Sequence, residues 1–394
     1  MKPILFLHLA ILAFSSLVWI QETATESSQD AGDPRIEALE KQLQETITEF
    51  REIVRDAQRN GFEYVNALTV DQASELIDGF YEKIKVGNEV RERIIPLVEE
   101  LVPLKVAGAD GADDELVHLA TGVMEFLYRR GEYSRTYRLA KDLVANNSEN
   151  EYARVYLARS GVLTNDFSPA AAKTFEKNAK FFEENDSVTD TEKLLFSNLE
   201  RINILFAKEL EIRELEKQAD DLPRVKFMTT QGEFVIELFE NEAPQTVANF
   251  ISLVESGHYD DLYFHTVIQQ TAAETGVAAG AGVFRDVGYT IYDEYDKPDA
   301  RLHFSGSVSM VSEEPNSGAA RFFVSLAPLP NFNGKRTVFG RILTGMDTVY
   351  RINHTYRIEE GEQIQIENFT PDKVKSAQVL RKRDHEYLPT KVTK

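Results

Sequence analysis

Apolar residues recur every three or four positions through the first half of the chain, from Ile36 to about Asp221. This spacing places them on one face of an amphipathic helix. The first stripe consists of Ile36, Leu39, Leu43, Ile47, Phe50 and Val54. A later stretch, Thr191 to Asp220, predicts one long helix that Pro223 ends. Its apolar positions are Leu194, Leu195, Leu199, Ile202, Leu205, Phe206, Leu210 and Leu215. The pattern therefore predicts an all-α domain over residues 35–221.

Two segments near 117–180 resemble helical hairpins of the tetratricopeptide repeat. A 34-residue frame that starts at Val117 places Tyr133 opposite Phe167, and Gly131 marks a tight turn between two helices. The match is partial, because larger residues stand where that family prefers small ones: Met124, Thr136 and Leu143. A generic helical bundle is the open alternative. Since two repeats are fewer than the three or so that a free solenoid needs, we expect them to pack on other helices.

From Arg224 the pattern changes to short stretches in which apolar and polar residues alternate, as they do in strands. The first two stretches flank Gln231-Gly232 and predict a hairpin. The segment APQTVANFISLVESG then predicts a helix, with Pro244 in its first turn and Gly257 just past its end. Later strands are predicted at 263–268, 307–311, 321–326, 337–342 and 376–383, with a short helix at 345–352. Many strands with two helices and no βαβ rhythm predict an antiparallel barrel.

The two ends of the chain lie outside these predicted domains. The apolar run from Ile4 to Ile20 follows a single Lys, which is typical of a secretory signal peptide. An uncleaved membrane anchor is the alternative, although 17 residues is at the short limit of a membrane span. We therefore assign residues 1–24 to a signal peptide or N-terminal anchor, 25–34 to a linker and 384–394 to a C-terminal tail. Export from the cytoplasm to a periplasmic or other extracytoplasmic place is the expectation.

Composition narrows the classes of function. The chain has 394 residues, which is enough for two or three domains, and a formal net charge of −21. So negative a surface repels phosphate backbones, and a nucleic-acid partner is not expected. The absence of cysteine excludes disulfides, thiol nucleophiles and Cys-ligated metals. No other metal-ligand motif stands out, so no metal is predicted.

Two long stretches carry a resemblance to a known family. GEFVIELFENEAPQTVANFISLVESGHYDDLYFHTVI and GSVSMVSEEPNSGAARFFVSLAPLPNFNGKRTVFGRILTGMDTVYRI hold several separated motifs in the order of a cyclophilin-type peptidyl-prolyl cis-trans isomerase domain. The similarity covers about residues 224–383. It implies a closed eight-stranded antiparallel β-barrel with two helices, and an isomerase that needs no cofactor. It also implies protein or peptide partners that contain proline.

The resemblance places Thr266 where the family has the arginine of its F-H-R-V-I motif. Rotation about a peptide bond faces a barrier of about 18–20 kcal/mol, and X–Pro bonds interchange slowly. In this family the arginine donates hydrogen bonds that favour the twisted bond. Thr266 cannot supply a charged, forked donor, and removal of one preorganised donor costs about 10²–10³ in rate. Weak or absent isomerase activity is therefore expected.

The remaining binding-groove positions are also carried over from the resemblance. Small or acidic residues replace the family's apolar walls and glutamine at Thr271, Ala272 and Glu274. The other groove positions are Val311, Ser312, Arg321, Phe323, Phe332 and Arg336. Phe323 keeps an aromatic floor, and Phe332 closes one side. His265 and His303, within family motifs, are expected to be hydrogen-bonded residues of the barrel.

Arg321 and Arg336 on the groove rim leave two interpretations open. Either arginine could turn towards a bound prolyl carbonyl, or both could pair with Glu274, Glu313 or Glu314. Three functions follow: an exported binding protein with a degenerate isomerase site, an active isomerase with an altered site, or a helical scaffold with the barrel as a spacer. Neither the partner nor the oligomeric state follows from the sequence.

Overall fold

The computed structural model describes residues 33–65, 69–108, 111–147, 150–167, 169–178, 188–276, 287–359, 362–366 and 370–392. The predictions for 1–24 and for most of the linker 25–34 fall outside them. The first half of the described chain is helical, which confirms the predicted all-α region. Its helices are α1 (Pro34–Val65), α2 (Val70–Ala107), α3 (Asp114–Arg129), α4 (Tyr133–Asn146), α5 (Glu151–Leu163), α6 (Pro169–Lys177), α7 (Asp190–Ser197) and α8 (Leu199–Ala219).

The chain forms two compact units. The first consists of Met1–Phe126 with Arg138–Arg154, and the second of Leu127–Tyr137 with Val155–Lys394. The second unit holds all the described strands, and it also takes in α6, α7, α8 and parts of α3, α4 and α5.

An antiparallel pair of long helices, α1 and α2, builds much of the first unit. Five of the six predicted stripe residues of α1 are buried, with Phe50 at 2% exposure, and Ile36 is half-buried; Val98 of α2 is buried too. The ion pair of Arg35 at the start of α1 with Glu100 near the end of α2 agrees with the antiparallel direction. Apolar burial provides most of the stability here, because exposed ion pairs contribute at most about 1 kcal/mol each.

The predicted long helix over Thr191–Asp220 is wrong in one respect. Asn198, with φ −117° and ψ 15°, separates α7 from α8. The break turns part of the apolar stripe outward, and Leu210 and Leu215 are 50% and 66% exposed. The chain leaves α8 through Asp220 in the left-handed region, before Pro223.

A mostly antiparallel sheet and two helices complete the second unit. The strands are β1 (Arg224–Thr229), β2 (Gly232–Leu238), β3 (Thr266–Ile268), β4 (Ala272–Thr275), β5 (Thr290–Ile291), β6 (Ser307–Met310), β7 (Phe322–Ser325), β8 (Val338–Thr344), β9 (Tyr356–Glu359), β10 (Glu362–Gln365), β11 (Val374–Arg381) and β12 (Lys391–Val392). Helix α9 (Pro244–Glu255) follows β2, and α10 (Met346–Tyr350) follows β8. Pro244 lies in the first turn of α9, and Gly257 has φ +69°, as predicted.

The predicted cyclophilin-like antiparallel sheet is confirmed, with a different strand count. Ten strands lie in the order β10-β9-β3-β4-β7-β6-β8-β2-β1-β11 and form a half-barrel, whereas eight strands and full closure were predicted. The pair of β3 and β9 is parallel. Two further hydrogen bonds, from Phe264 to Asp372 and from Val374 to Leu262, join the segment before β3 to the start of β11.

An aromatic cluster fills the concave side of the sheet. Phe250 of α9 packs against Phe322 and Phe339 with ring centroids 5.3 and 5.0 Å apart, and Phe227 and Tyr259 complete the cluster. All five side chains are at most 1% exposed. Aromatic pairs in such geometries add about 0.5–1.5 kcal/mol to their burial. This cluster holds the strands that position the groove on the opposite face.

The helical segments of the second unit share one apolar core with the sheet. Phe206 of α8 lies 4.8 Å from the ring of Phe304, which precedes β6. Tyr133 of α4 meets Tyr350 of α10 edge-on at 5.4 Å. Beside this core, Arg301 donates hydrogen bonds from Nε and Nη2 to Glu209 of α8, at 3.0 and 2.7 Å.

The segment 384–394, predicted as a tail, carries structure in its described residues. Strand β12 pairs with β5, and the hydroxyl of Tyr387 donates a hydrogen bond to Glu240 at 2.7 Å. Tyr387 is 5% exposed, so this segment contributes to the core. Within the described ranges, no helix is both long and apolar enough to span a bilayer.

Candidate functional site

Four side chains form a row across the sheet face opposite the aromatic core. Register pairs Thr266 of β3 with Glu274 of β4, Glu274 with Phe323 of β7, and Phe323 with Ser309 of β6. Because successive residues of a strand point to opposite faces, their sequence neighbours turn into the core. These neighbours are Val267, Ala273, Phe322 and Val308, all fully buried. Three of the four residues in the row were predicted groove positions.

Thr266 has a histidine as its polar neighbour. Its hydroxyl oxygen lies 2.9 Å from Nδ1 of His265, whose Nε2 lies 3.5 Å from the Glu274 carboxylate. Burial lowers the pKa of His265, and nearby Arg321 lowers it further against the opposing effect of Glu274. The imidazole is therefore neutral near pH 7. The position of the family arginine thus carries a short hydroxyl beside an uncharged ring.

Arg321 lies next to this row and is held by two carboxylates. Its Nε and Nη2 donate to one oxygen of Glu274 at 2.9 and 2.7 Å, and its Nη1 donates to Glu313 at 2.8 Å. Burial opposes the charge, yet the two carboxylates raise the pKa of Arg321 above its ordinary value. This agrees with the interpretation that Arg321 pairs with Glu274 and Glu313. Its guanidinium is directed at the protein's own acids.

Three rings form an apolar floor beside the charged residues. His303 stacks on Phe323 with ring centroids 5.9 Å apart and planes 8° apart, and half-buried Phe332 meets both rings edge-on. Nδ1 of His303 lies 3.0 Å from Asn333 Oδ1, and Nε2 lies 3.0 Å from Ser309 Oγ. Burial lowers the pKa of His303 to about 4. A neutral imidazole with both ring nitrogens hydrogen-bonded thus packs beneath Phe323 as a buried flat ring.

Arg336 has a different environment from Arg321. Its Nη1 donates weakly to Ser312 Oγ and to the carbonyl of Lys335, at 3.4 and 3.3 Å. Among the described residues, it forms no ion pair with a carboxylate. Ser312 follows half-buried Val311, whose amide bonds to the carbonyl of Arg321. Arg336 therefore keeps N–H donors without a carboxylate partner, whereas the N–H groups of Arg321 donate to Glu274 and Glu313.

The two smallest predicted wall positions lie at the start of β4. Ala272 pairs with Ile268 and Ser325, and Thr271 occupies the turn between β3 and β4. Both side chains are half-buried. All the predicted groove positions thus fall on β3, β4, β7 and their adjoining loops. They enclose a charged half around Glu274 and an apolar half around Phe323.

Sequence reasoning missed the role of His303 and of the turn residues Gln269 and Gln270. His303 was predicted to be hydrogen-bonded, which is confirmed, but its stacking on Phe323 was not foreseen. Its place in a family motif was the available signal. Gln269 and Gln270 contact helical residues that are distant in sequence, so no local pattern could identify them.

The site offers hydrogen-bond donors, carboxylates and an apolar floor. In the described part of the chain, no cluster of three or more His, Asp or Glu side chains could hold a metal ion. The arrangement places these donors and carboxylates beside the aromatic rings of Phe323 and Phe332. It does not direct a charged donor from position 266 towards a prolyl bond.

Comparisons with known proteins identify the family of the C-terminal region. Residues 224–379 match the family model described as "Cyclophilin type peptidyl-prolyl cis-trans isomerase/CLD". The chain is 36% identical over 132 residues to "Peptidyl-prolyl cis-trans isomerase-like 1" of Aspergillus oryzae, which covers 32% of this chain and 80% of that protein. It is 34% identical over 162 residues to the protein of the same name in Neurospora crassa, covering 40% and 94%.

A solved structure is similar to part of this chain. The cyclophilin type peptidyl-prolyl cis-trans isomerase of Cryptosporidium parvum is 23% identical, covers 41% of this chain and 99% of that chain, and gives a TM-score of 0.34. The sequence relatives above exceed 30% identity over at least 80% of their own length. On this evidence the chain belongs to the cyclophilin-type peptidyl-prolyl cis-trans isomerase family.

Proposed function

We propose that the groove binds extended, proline-containing protein segments and catalyses their isomerisation weakly or not at all. The apolar floor of Phe323 and Phe332, backed by His303, would hold the proline ring. The rim side chains would hold the peptide backbone. The protein would then act as a binding member of an isomerase family.

One observation carries the proposal: Thr266 occupies the arginine position while Glu274 and Glu313 hold the nearest guanidinium. A donor accelerates the reaction only if it is directed at the place where charge or geometry changes in the transition state. Arg321 would have to leave two ion pairs to do so. The apolar floor has no such conflict, and therefore binding is supported better than turnover.

A coupled proline-isomerisation assay, together with peptide binding, tests the proposal. We expect the full chain to bind an Ala-Pro-containing peptide more tightly than the same peptide with Ala in place of Pro. We expect turnover near the uncatalysed background. Turnover well above background that falls in Arg321→Ala would contradict the proposal, and so would equal affinity for the two peptides.

An active isomerase with an altered site is the second candidate, and Arg336 favours it. Its guanidinium forms no ion pair with a carboxylate in the described structure, so it could turn towards a bound carbonyl at small cost. The relatives from Aspergillus oryzae and Neurospora crassa are also named as isomerases. Efficient turnover that is lost in Arg336→Ala but kept in Arg321→Ala would establish this candidate.

A third candidate makes the helical region the functional part and the half-barrel a spacer. The buried residues shared by α8 and the sheet in the second unit weigh against a passive spacer. Partner binding that persists unchanged in a Phe332→Ala variant with an altered groove would favour this third function.

We also propose that the protein is exported and acts on proteins outside the cytoplasm. The apolar run Ile4–Ile20 supports this proposal, with membrane attachment only through an uncleaved N-terminal segment. The net charge of −21 supports protein partners over nucleic acid. Fractionation of cells that express the chain, with N-terminal sequencing of the product, tests both export and cleavage.

A further inference from the structure

The turn between β3 and β4 leaves the sheet and enters a polar cluster on the helical side of the second unit. Gln269 donates from Nε2 to the hydroxyl of Tyr133 at 3.2 Å. Gln270 donates from Nε2 to the hydroxyl of Tyr128 at 3.4 Å, and its Oε1 is hydrogen-bonded to the hydroxyl of Thr189. Residues far apart in sequence therefore meet at one end of the groove wall.

A buried ion pair forms the centre of this cluster. Glu192 is fully buried and Arg159 is 2% exposed. Arg159 donates from Nε and Nη2 to the two carboxylate oxygens, at 2.7 and 3.1 Å, and Tyr128 donates its hydroxyl to the same carboxylate. The Thr189 amide donates to Glu192 at 2.9 Å within a capping box. Buried charges persist only where their hydrogen bonds are satisfied, so this cluster has one well-defined arrangement.

Gln270 needs this arrangement because its own backbone is unfavourable. Its φ is +53°, in the left-handed region that residues with a Cβ rarely adopt, and its side chain is 3% exposed. Such a conformation persists where surrounding contacts enforce it. The backbone bond from the Thr271 amide to the Ile268 carbonyl closes the turn, and the bonds to Tyr128 and Thr189 hold the Gln270 side chain. Glu192 fixes both of these partners in turn.

The turn leads directly into the groove. Thr271 follows Gln270, and β4 then carries Ala272 and Glu274, the residue that pairs with Thr266 and holds Arg321. We propose that Tyr128, Thr189, Glu192 and Gln270 are positioning residues that set the β3–β4 turn and thereby the shape of the groove wall. As far as ligand binding is concerned, this inference rests on the proposed function. The helical segments would then form part of the ligand-binding apparatus.

The contrasting interpretation is that the cluster only stabilises packing between helices and sheet. A matched pair of tyrosines separates the two interpretations. Tyr128 and Tyr350 are both buried, and each hydroxyl joins helical residues to the half-barrel. Tyr350 is hydrogen-bonded to Ser305 Oγ at 2.8 Å and to the Leu163 carbonyl at 3.4 Å, away from the turn. Tyr128→Phe and Tyr350→Phe remove the same atom in two places.

Hydrogen–deuterium exchange of the full-length variants provides the first readout. We expect Tyr128→Phe to speed exchange of residues 269–275 at least about fivefold, because loss of the tether raises the population of locally open turn. We expect the exchange rate of that segment in Tyr350→Phe to stay within about twofold of the wild-type rate. We expect the two variants to change the melting temperature by a comparable amount. Equal exchange of the segment in both variants would overturn the proposal.

A double-mutant cycle with Gln270→Gly provides the second readout. Glycine accepts a positive φ without strain and removes the side chain through which Tyr128 acts. Tyr128→Phe should therefore have little further effect on exchange of 269–275 in the Gln270→Gly background. If the two substitutions changed exchange of 269–275 additively, Tyr128 would not act through Gln270, and the proposal would be overturned.

Peptide affinity provides the third readout and separates this inference from the proposed function. If the wild type binds the Ala-Pro peptide, Tyr128→Phe should weaken binding about two- to tenfold, the range of the uncharged hydrogen bond through which Tyr128 holds Gln270. If the wild type binds no such peptide, the proposed function fails, while the exchange measurements still decide whether the cluster sets the turn. Weakened affinity without changed exchange of the turn would contradict positioning.

Discussion

Arg321 donates two hydrogen bonds, from Nε and Nη2, to a single oxygen of Glu274. Glu274 lies on β4 and Arg321 immediately precedes the adjacent strand β7, close to Thr266, which stands where the family carries its arginine. The site therefore keeps a guanidinium, but it comes from the residue before β7 and is neutralised by an acid of β4. A peptide bound here would contact an arginine that is already paired with a carboxylate, and it would not contact a free cation. This relationship determines what substitutions in the groove should do.

Glu274→Gln should change the titration of His265. The carboxylate of Glu274 raises the His265 pKa against the larger effect of burial. Its removal should therefore move this pKa further below the ordinary value of 6.5. The free energy of unfolding should fall by at most about 1 kcal/mol, because Arg321 is partly exposed. NMR titration of the His265 ring and urea unfolding measure the two effects.

Glu313→Gln is the matched control for that experiment. Glu313 also pairs with Arg321, but it is 79% exposed at its side chain and is not among the groups that shift the His265 pKa. The His265 pKa should stay at its wild-type value in this variant. A rise of that pKa in Glu274→Gln would contradict the arrangement described above.

Thr266→Arg alone should restore little isomerase activity. Glu274 is the register partner of Thr266, so a new guanidinium at 266 would compete with Arg321 for the same carboxylate. Thr266→Arg combined with Glu274→Gln leaves the new donor free. We expect the double variant to exceed Thr266→Arg by at least about tenfold in kcat/KM, a fraction of the 10²–10³ that one preorganised donor contributes. The coupled isomerisation assay measures this.

The outcome for Thr266→Arg tests the rest of the pocket as well. If neither Thr266→Arg nor its combination with Glu274→Gln shows isomerase turnover above background, then the small side chains of Thr271 and Ala272 limit turnover independently of the donor. Efficient turnover by Thr266→Arg alone would show that Glu274 does not capture the new side chain. Arg321→Ala in each background separates the contribution of the native guanidinium.

The parts of the fold with local signals could be predicted from sequence. The β1–β2 hairpin follows from alternation and helix α9 from Pro244 and Gly257, and both predictions are confirmed. Strand β4 was missed because its residues, Ala-Ala-Glu-Thr, contain few of the β-branched or aromatic types that favour strands. It forms because β3 and β7 supply backbone partners on both sides.

Long-range contacts account for the other misses. The Asn198 break and the exposed Leu215 depend on how α7 and α8 pack, which periodicity does not specify. The site residues were placed through family motifs, since no spacing in the sequence alone joins Thr266 to Arg321. The tether of Gln270 to Tyr128 joins residues 142 positions apart, beyond the reach of any local pattern.

His303 should make stability depend on pH. Burial lowers its pKa from 6.5 to about 4, so the unfolded chain binds its proton more readily than the folded chain does. The stabilisation is therefore complete above about pH 6.5 and is lost as the pH falls towards 4. Between pH 7.5 and 5.5 this group should remove about 1.4 kcal/mol of unfolding free energy. Urea unfolding at the two pH values measures the loss.

His303→Gln serves as the comparison for that pH effect. Glutamine can still donate to Asn333 Oδ1 or bond to Ser309 Oγ, but it does not titrate. The variant should lose less stability than the wild type over the same pH interval, by about the contribution of one histidine. Equal losses in the two proteins would show that other groups cause the pH dependence.

Two phenylalanines on opposite faces of the sheet region should separate folding from binding. Phe322 is fully buried in the aromatic core, so Phe322→Ala should cost about 3–5 kcal/mol of unfolding free energy. Phe332 is half-buried and contacts Phe323 and His303 on the groove floor. Phe332→Ala should cost about 1 kcal/mol of stability but weaken binding of the Ala-Pro peptide at least about tenfold. Urea unfolding and peptide titration of both variants provide the measurements. Unchanged peptide affinity in Phe332→Ala would show that the aromatic floor is not where the ligand binds, because this side chain closes the apolar half of the groove.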